Sequence, residues 1–106
     1  MDFYMDKAAI SELRRFHKKR LSEGWKELRN YRSRYRNIGN IIEVESYYVV
    51  VAKIYKDGQK CKIKKTWQGW SATTQNQINK ILDTIHVHHI NKKFWENLPL
   101  NKWHEI

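Results

Sequence analysis

Asp57-Gly58 sits between two runs of alternating apolar and polar residues, and this arrangement constrains the fold more than any other feature of the chain. Asp-Gly readily adopts positive φ, so Lys56-Asp57-Gly58-Gln59 reads as a hairpin turn. Before it, Ile42, Val44, Tyr48, Val50, Ala52 and Ile54 fall on one face of a strand that starts at Ile41. Glu43, Glu45 and Lys53 fall on the other. After it, a return strand over residues 60–67 turns Cys61 and Ile63 inward and Lys60, Lys62 and Lys64 outward. A two-stranded hairpin is marginal in water. Its Val/Ile face needs helices to cover it.

The flanking segments supply them. Residues 6–37 contain no proline and are rich in Arg, Lys, Leu and Glu. Ile10, Leu13, Phe16, Leu21, Trp25, Leu28, Tyr31, Tyr35 and Ile38 recur at mostly helical steps, which predicts one amphipathic stripe. Ser22-Glu23-Gly24 is its weak point, so the segment is either one long helix or two consecutive ones, ended by Gly39-Asn40. A second helix is expected over residues 71–85. Ser71, Thr73 and Thr74 can each cap its start, and Ile78, Ile81, Leu82 and Ile85 stand at i, i+3, i+4 and i+7. Beyond it, His86–Ile90 reads as an extension and Lys92–Leu98 as a short helix stopped by Pro99. The expectation is a single α+β domain: a basic helical region at 1–38, a hairpin at 41–67, a helix at 71–85 and a tail at 86–106. A chain of 106 residues is long enough to bury a real core.

Charge bears on function. Lys and Arg number 21 against 11 Asp and Glu, a net of +10. Residues 1–38 hold 11 of the bases and 5 of the acids. Such a surface attracts polyanions at long range, so the expected partner is a nucleic acid or a nucleoprotein complex; an acidic protein surface is the other candidate, and basic charge also serves solubility. The start of the chain carries no apolar leader segment, and the longest apolar run, Tyr47 to Ala52, is far below the roughly 20 residues of a membrane span. One cysteine leaves no internal disulfide. A cytoplasmic protein with no membrane contact is expected.

Ser46-Tyr47-Tyr48-Val49-Val50-Val51-Ala52, the turn at Asp57-Gly58, and Trp70-Ser71-Ala72-Thr73-Thr74 with Ile78-Asn79 together resemble a family of small bacteriophage proteins. These share a strand beginning Ser-Tyr, a short hairpin, and a Tyr/Trp-Ser-x-Thr-Thr segment that opens a helix. The family's helix often reads Thr-Thr-x-x-His-Ile-Asn, and Gln77 stands here at the histidine. The resemblance covers residues 46–82 and implies a phage-type accessory or inhibitor, for example of the anti-CRISPR kind, acting on nucleic-acid machinery. DNA mimicry needs a dense acidic surface, which a net of +10 excludes.

Four groups of residues could carry such work. The first is Arg14, Arg15, Lys18, Lys19, Arg29, Arg32 and Arg36 on the expected N-terminal helix, where Arg forks suit phosphate and Lys supplies point charges. Tyr31 and Tyr35 interleave with them, either as a stacking surface for bases or as part of the core stripe. The second is the lysine row Lys60, Lys62 and Lys64, with Lys65, Lys53 and Lys56; it serves binding or protects a strand edge against aggregation. The third comprises Trp67, Trp70, Trp95 and Trp103, as core or as interface anchors, with Trp70 beside Gly69 the best placed for exposure. The fourth is histidine-rich. His86-Val87-His88-His89-Ile90-Asn91 with Asn97 and His104 resembles the start of an HNH nuclease motif, which implies His88 or His89 as base, Asn97 as its orienter and His104 as metal ligand. Its spacing is compressed and the loop glycine is missing. A simpler metal site would join His86 and His88 with His104 or Asp83. No glycine-rich phosphate loop, paired-cysteine motif or nucleophile elbow occurs. A non-catalytic protein without a cofactor is the expectation.

Overall fold

The computed structural model describes residues 6–106 and folds as α+β. Helix α1 (Lys7–Ser22) starts at Asp6, whose carboxylate accepts from the Ala9 N–H at 2.7 Å. Lys19 and Arg20 lie in its last turn, where cations complement the helix dipole. The helix ends at the expected weak point: Gly24 takes φ 101°, a conformation that L side chains avoid.

Beyond Gly24 the chain departs from the helical expectation. No helix continues to residue 37; Lys26–Glu27 forms β1 and Ser33–Ile38 forms β2. Tyr31, Tyr35 and Ile38 fit helical spacing, but Tyr-Arg-Ser-Arg-Tyr-Arg also alternates, and Asn30 tips the balance. Its side chain accepts from the Arg32 N–H at 2.8 Å and its carbonyl from the Ser33 N–H at 3.1 Å, closing a turn between β1 and β2. Gly39-Asn40 is likewise a hairpin turn into β3 (Ile41–Ser46), with Gly39 at φ 57°.

The strand expected from Ile41 to Ile54 is two strands. Tyr47-Tyr48 reverses the chain into β4 (Val49–Asp57), with Tyr47 at φ 56°, an uncommon conformation for tyrosine. Tyr47 is held there by its N–H, which donates to the Arg32 carbonyl at 2.7 Å, and by its carbonyl, which accepts from Arg34 at 3.0 Å. A bulge in the β3–β4 pairing puts Val51 and Ala52 both in the core. Val50 thereby turns to the face of its partner Glu45, against the simple alternation.

The Asp57-Gly58 hairpin forms as expected and leads into β5 (Lys60–Lys65). Helix α2 (Ala72–Thr84) takes Ser71 as its cap, the Ser71 hydroxyl accepting from the Thr74 N–H at 3.0 Å. Helix α3 (Lys92–Asn97) ends before Pro99. The tail then adds a strand that the sequence did not announce: β6 (Trp103–Glu105) pairs with β5. The result is one antiparallel sheet in the order β1-β2-β3-β4-β5-β6.

The sheet is covered on both faces, unequally. One face carries Val44, Ala52, Ile54, Cys61 and Ile63, which pack with Ile78, Ile81 and Leu82 of α2 and Trp95 of α3. Lys65 shares this face and is 1% exposed, its ammonium donating to the Trp95 carbonyl at 3.0 Å. Asn79 of α2 closes the layer by bonding both the N–H and the carbonyl of Ile90.

The other face carries Arg34, Glu43 and Glu45. The sequence placed both glutamates on the face opposite the core, and that is where they stand, yet both are buried: Glu45 meets Arg34 and Arg20 of α1, and Glu43 lies between Arg36 and Lys53. Arg34 is fully buried and reaches Glu45 at 2.6 Å and His17 of α1 at 3.2 Å. A guanidinium only donates, so Nδ1 of His17 accepts and its Nε2 donates to Glu27 at 3.0 Å. Removing one partner of a buried ion pair costs about 3–5 kcal/mol. Arg34→Ala is expected to lose that much in urea unfolding, with Tyr47 and α1 loosened together. A loss below about 1 kcal/mol would show that the network is not what ties α1 to the sheet.

Candidate nucleic-acid interface

The basic residues singled out by sequence fall into separate places. On α1, Leu13 and His17 point to the sheet, which leaves Arg14, Arg15, Lys18 and Lys19 exposed along the outer face. Lys26 and Arg29 do not extend this face, because the helix has ended; both are exposed in and after β1. Arg32 returns to it by another route. The turn between β1 and β2 carries Tyr31 beneath α1, with the Arg14 guanidinium 4.9 Å from the ring centroid and that of Arg32 at 5.3 Å. Arg32 also donates to the Tyr31 hydroxyl at 3.2 Å, and this hydrogen bond raises the guanidinium above its ordinary value. Two exposed arginines thus flank one half-buried tyrosine.

Paired residues in a sheet share a face, so the strand registers locate the second group. Arg36, Glu43, Lys53, Lys64 and Trp103 are successive partners across β2 to β6. The next row is Ile38, Ile41, Tyr55, Lys62 and Glu105. Both rows lie on the α1 side of the sheet, beyond the Arg34–Glu45 pair that α1 covers. Lys60, Lys62 and Lys64 therefore form one file along β5, as alternation predicted. Lys62 and Lys64 do not mark a sheet edge, since β6 pairs outside them, and Lys60 lies beyond that pairing. Lys65 is withdrawn into the core. Arg36 is committed as well: it pairs with Glu43 at 2.5 Å and stacks on Trp25 at 4.5 Å, while Lys53 reaches the other Glu43 oxygen at 3.4 Å.

Two aromatic side chains complete this open face. Trp103 is 38% exposed with the Lys64 ammonium 4.8 Å from its ring, and Tyr55 meets it edge-on at 6.4 Å between centroids. Tyr55 escaped the sequence analysis, although its place two residues beyond Lys53 on the same strand puts it on the lysine face. Trp103 was visible as a tryptophan but not as part of a strand. Trp70 is 37% exposed and lies in the opposite layer, at the start of α2, where it donates to Gln75 at 2.9 Å and carries Lys92 over its ring at 4.6 Å. Trp95 is core, and Trp67 packs against it in part.

The histidines are dispersed. His86 and His88 are exposed, His89 pairs with Asp83 at 2.6 Å, and His104 meets Phe94 edge-on with ring centroids 5.6 Å apart. Asn97 and His104 border one open hollow; His88 and His89 do not line it. Among the described residues no three His, Cys, Asp or Glu side chains come together as a metal ion would require. Among the described residues, too, no helix is long and apolar enough to cross a membrane. Comparison with known proteins returns no match: no family model, no curated protein and no solved structure matches the chain.

Cys61 faces the core at 5% exposure, and burial pushes its thiol up from the ordinary value, the reverse of what a nucleophile needs. Alkylation by iodoacetamide near pH 8 should therefore track unfolding. Modification of the native protein as fast as the urea-unfolded chain would contradict that placement.

Proposed function

We propose that the protein is a non-catalytic binder of nucleic acid, alone or within a nucleoprotein machine, working through its exposed Arg and Lys side chains. The observation that carries this reading is how the charges are distributed. Among the Arg and Lys of the described residues, only Arg20, Arg34, Arg36 and Lys53 form an ion pair with a carboxylate. Glu43 and Glu45 are spent on these four cations, and among the described residues the Arg and Lys side chains on the outer face of α1 and in the β5 file form no ion pair with a carboxylate. Phosphate is the anion that such a distribution suits best, because a polyanion gains from every contact through counterion release. A phage-type inhibitor of a CRISPR effector would use the same surface against guide RNA or target DNA, which is the setting that the resemblance at residues 46–82 suggests, although Ser46-Tyr47 here closes a turn rather than opening a strand.

Affinity for DNA or RNA should fall steeply with salt between about 50 and 300 mM, log affinity being linear in log salt. Replacing Arg14, Arg15, Lys18 and Lys19 together by Ala should flatten that slope by about 3 to 4, since each phosphate contact contributes about 0.7 on a single strand and about 0.9 on a duplex. Absence of binding to any nucleic acid at the lowest salt ends the proposal, and attention then passes to an acidic protein partner.

A further inference from the structure

We infer that the open half of the sheet, beside α1, binds a single-stranded nucleic acid by stacking unpaired bases on Trp103 and Tyr55. This rests on the nucleic-acid reading above and specifies which form and which surface.

The face has three properties that few sheet faces combine. It is uncovered: α1 occupies the side of the sheet around Arg34 and Glu45, and Ile38, Trp103 and the outward lysines lie past it. It has two neighbouring aromatic rings, set edge to face with centroids 6.4 Å apart, on neighbouring rows of the register. It has cations beside those rings, with Lys60, Lys62 and Lys64 in file along β5; Asp57 and Glu105 stand opposite Lys60 and Lys62 in the register, but among the described residues none of the three lysines forms an ion pair.

Each property points to the same ligand. A duplex hides its bases and offers only phosphates, which exposed lysines would contact without any need for tryptophan or tyrosine. An acidic protein would match the lysines and leave two rings in water. A single strand presents both groups at once, phosphates along one edge and π faces along the other. Lys64 supports this directly. Its ammonium rests over the Trp103 ring, and the flexible stem allows it to exchange that contact for a phosphate when a base takes its place on the indole. Ile38 and the half-buried Ile41, on the row of Tyr55, extend the apolar floor on which a neighbouring base or sugar would rest.

The face also limits what it can read. Among the described residues its polar groups are largely committed: Arg36 and Lys53 to Glu43, and the Tyr55 hydroxyl to Asp57 at 3.3 Å. What remains is stacking and charge, so sequence preference should be weak.

The test is anisotropy titration of the full chain with labelled oligothymidylate, oligouridylate and a duplex of equal length at low salt. Trp103→Ala should weaken both single strands by about tenfold and the duplex by less than about twofold, and Trp103→Phe should restore most of the loss. Lys62→Ala with Lys64→Ala should lower the salt slope for the single strands. Should Trp103→Ala fail to fold, Tyr55→Leu is read in its place against the same three probes. Equal losses on single strand and duplex, or none on either, would overturn the inference while leaving nucleic-acid binding intact. Wild-type binding to the duplex alone would do the same. Wild-type binding to none of the probes would remove the broader proposal with it.

Discussion

A single guanidinium joins the parts of this protein that sequence separation keeps apart. Arg34, fully buried on β2, bonds Glu45 on β3, His17 on α1 and the carbonyls of Tyr31 and Tyr47 in two different turns. Burial lowers its affinity for the proton, and the hydrogen bond and charge of Glu45 act against that. Taking an ion pair out of water costs several kcal/mol per ion unless nearly every donor finds a partner. Arg34 comes close to that condition, and the partners it recruits are those that set the architecture. The Tyr47 carbonyl fixes a turn at positive φ, and that turn divides β3 from β4. His17 seats α1 on the sheet. Glu45 sits at the bulge that brings Val51 into the core. Without the buried cation each of these loses one of its partners.

The consequence is a sheet with two unlike faces. Toward α2 and α3 it is an ordinary apolar layer, with Ile54, Ile63, Ile78 and Leu82 almost wholly buried. Toward α1 it is an ionic layer, in which Glu43 and Glu45 serve four cations: Arg20, Arg34, Arg36 and Lys53. The buried charges balance, Arg34 and Lys65 against Glu43 and Glu45, so the interior does not offset the excess of bases over acids. The lysine file on β5 is the continuation of the same face beyond the reach of α1.

Legibility in the sequence follows the range of the forces. The Asp57-Gly58 turn, the inward Cys61 and Ile63, the outward lysines of β5, the Ser71 cap and α2 were all readable, because each rests on neighbours in the chain. The region from residue 26 to 38 was not. Its apolar spacing satisfies a helix and a pair of strands alike, and the choice falls to Asn30 and to pairing with β3, a contact across residues that periodicity does not see. The break at Tyr47-Tyr48 was hidden for a related reason: two β-favouring tyrosines read as strand, and only Arg34 and the Arg32 carbonyl hold Tyr47 in a turn. For the candidate site, the lysines and arginines could be named in advance, but their grouping could not. Arg14 and Arg32 meet at Tyr31 only because the chain reverses, and Trp103 joins Lys64 only because the tail returns as β6.

Scarcity of carboxylates leaves the protein with another way to position its cations. Arg14 and Arg32 flank Tyr31, and Lys64 and Lys92 rest on Trp103 and Trp70, while Arg20 and Arg36 meet rings as well as carboxylates. A carboxylate partner would hold a guanidinium in place and also cancel its charge at a distance. An aromatic ring holds it through a quadrupole, whose field fades much faster than that of an ion, so the full positive charge still projects into solvent. Orientation and long-range attraction usually compete in a basic surface, since the ion pairs that order the side chains also neutralise them. Rings remove that conflict. The aromatic content of the chain, 13% of residues, therefore has a role outside the core: at Tyr31, Trp70 and Trp103 it orders Arg14, Arg32, Lys92 and Lys64, none of which forms an ion pair with a carboxylate among the described residues.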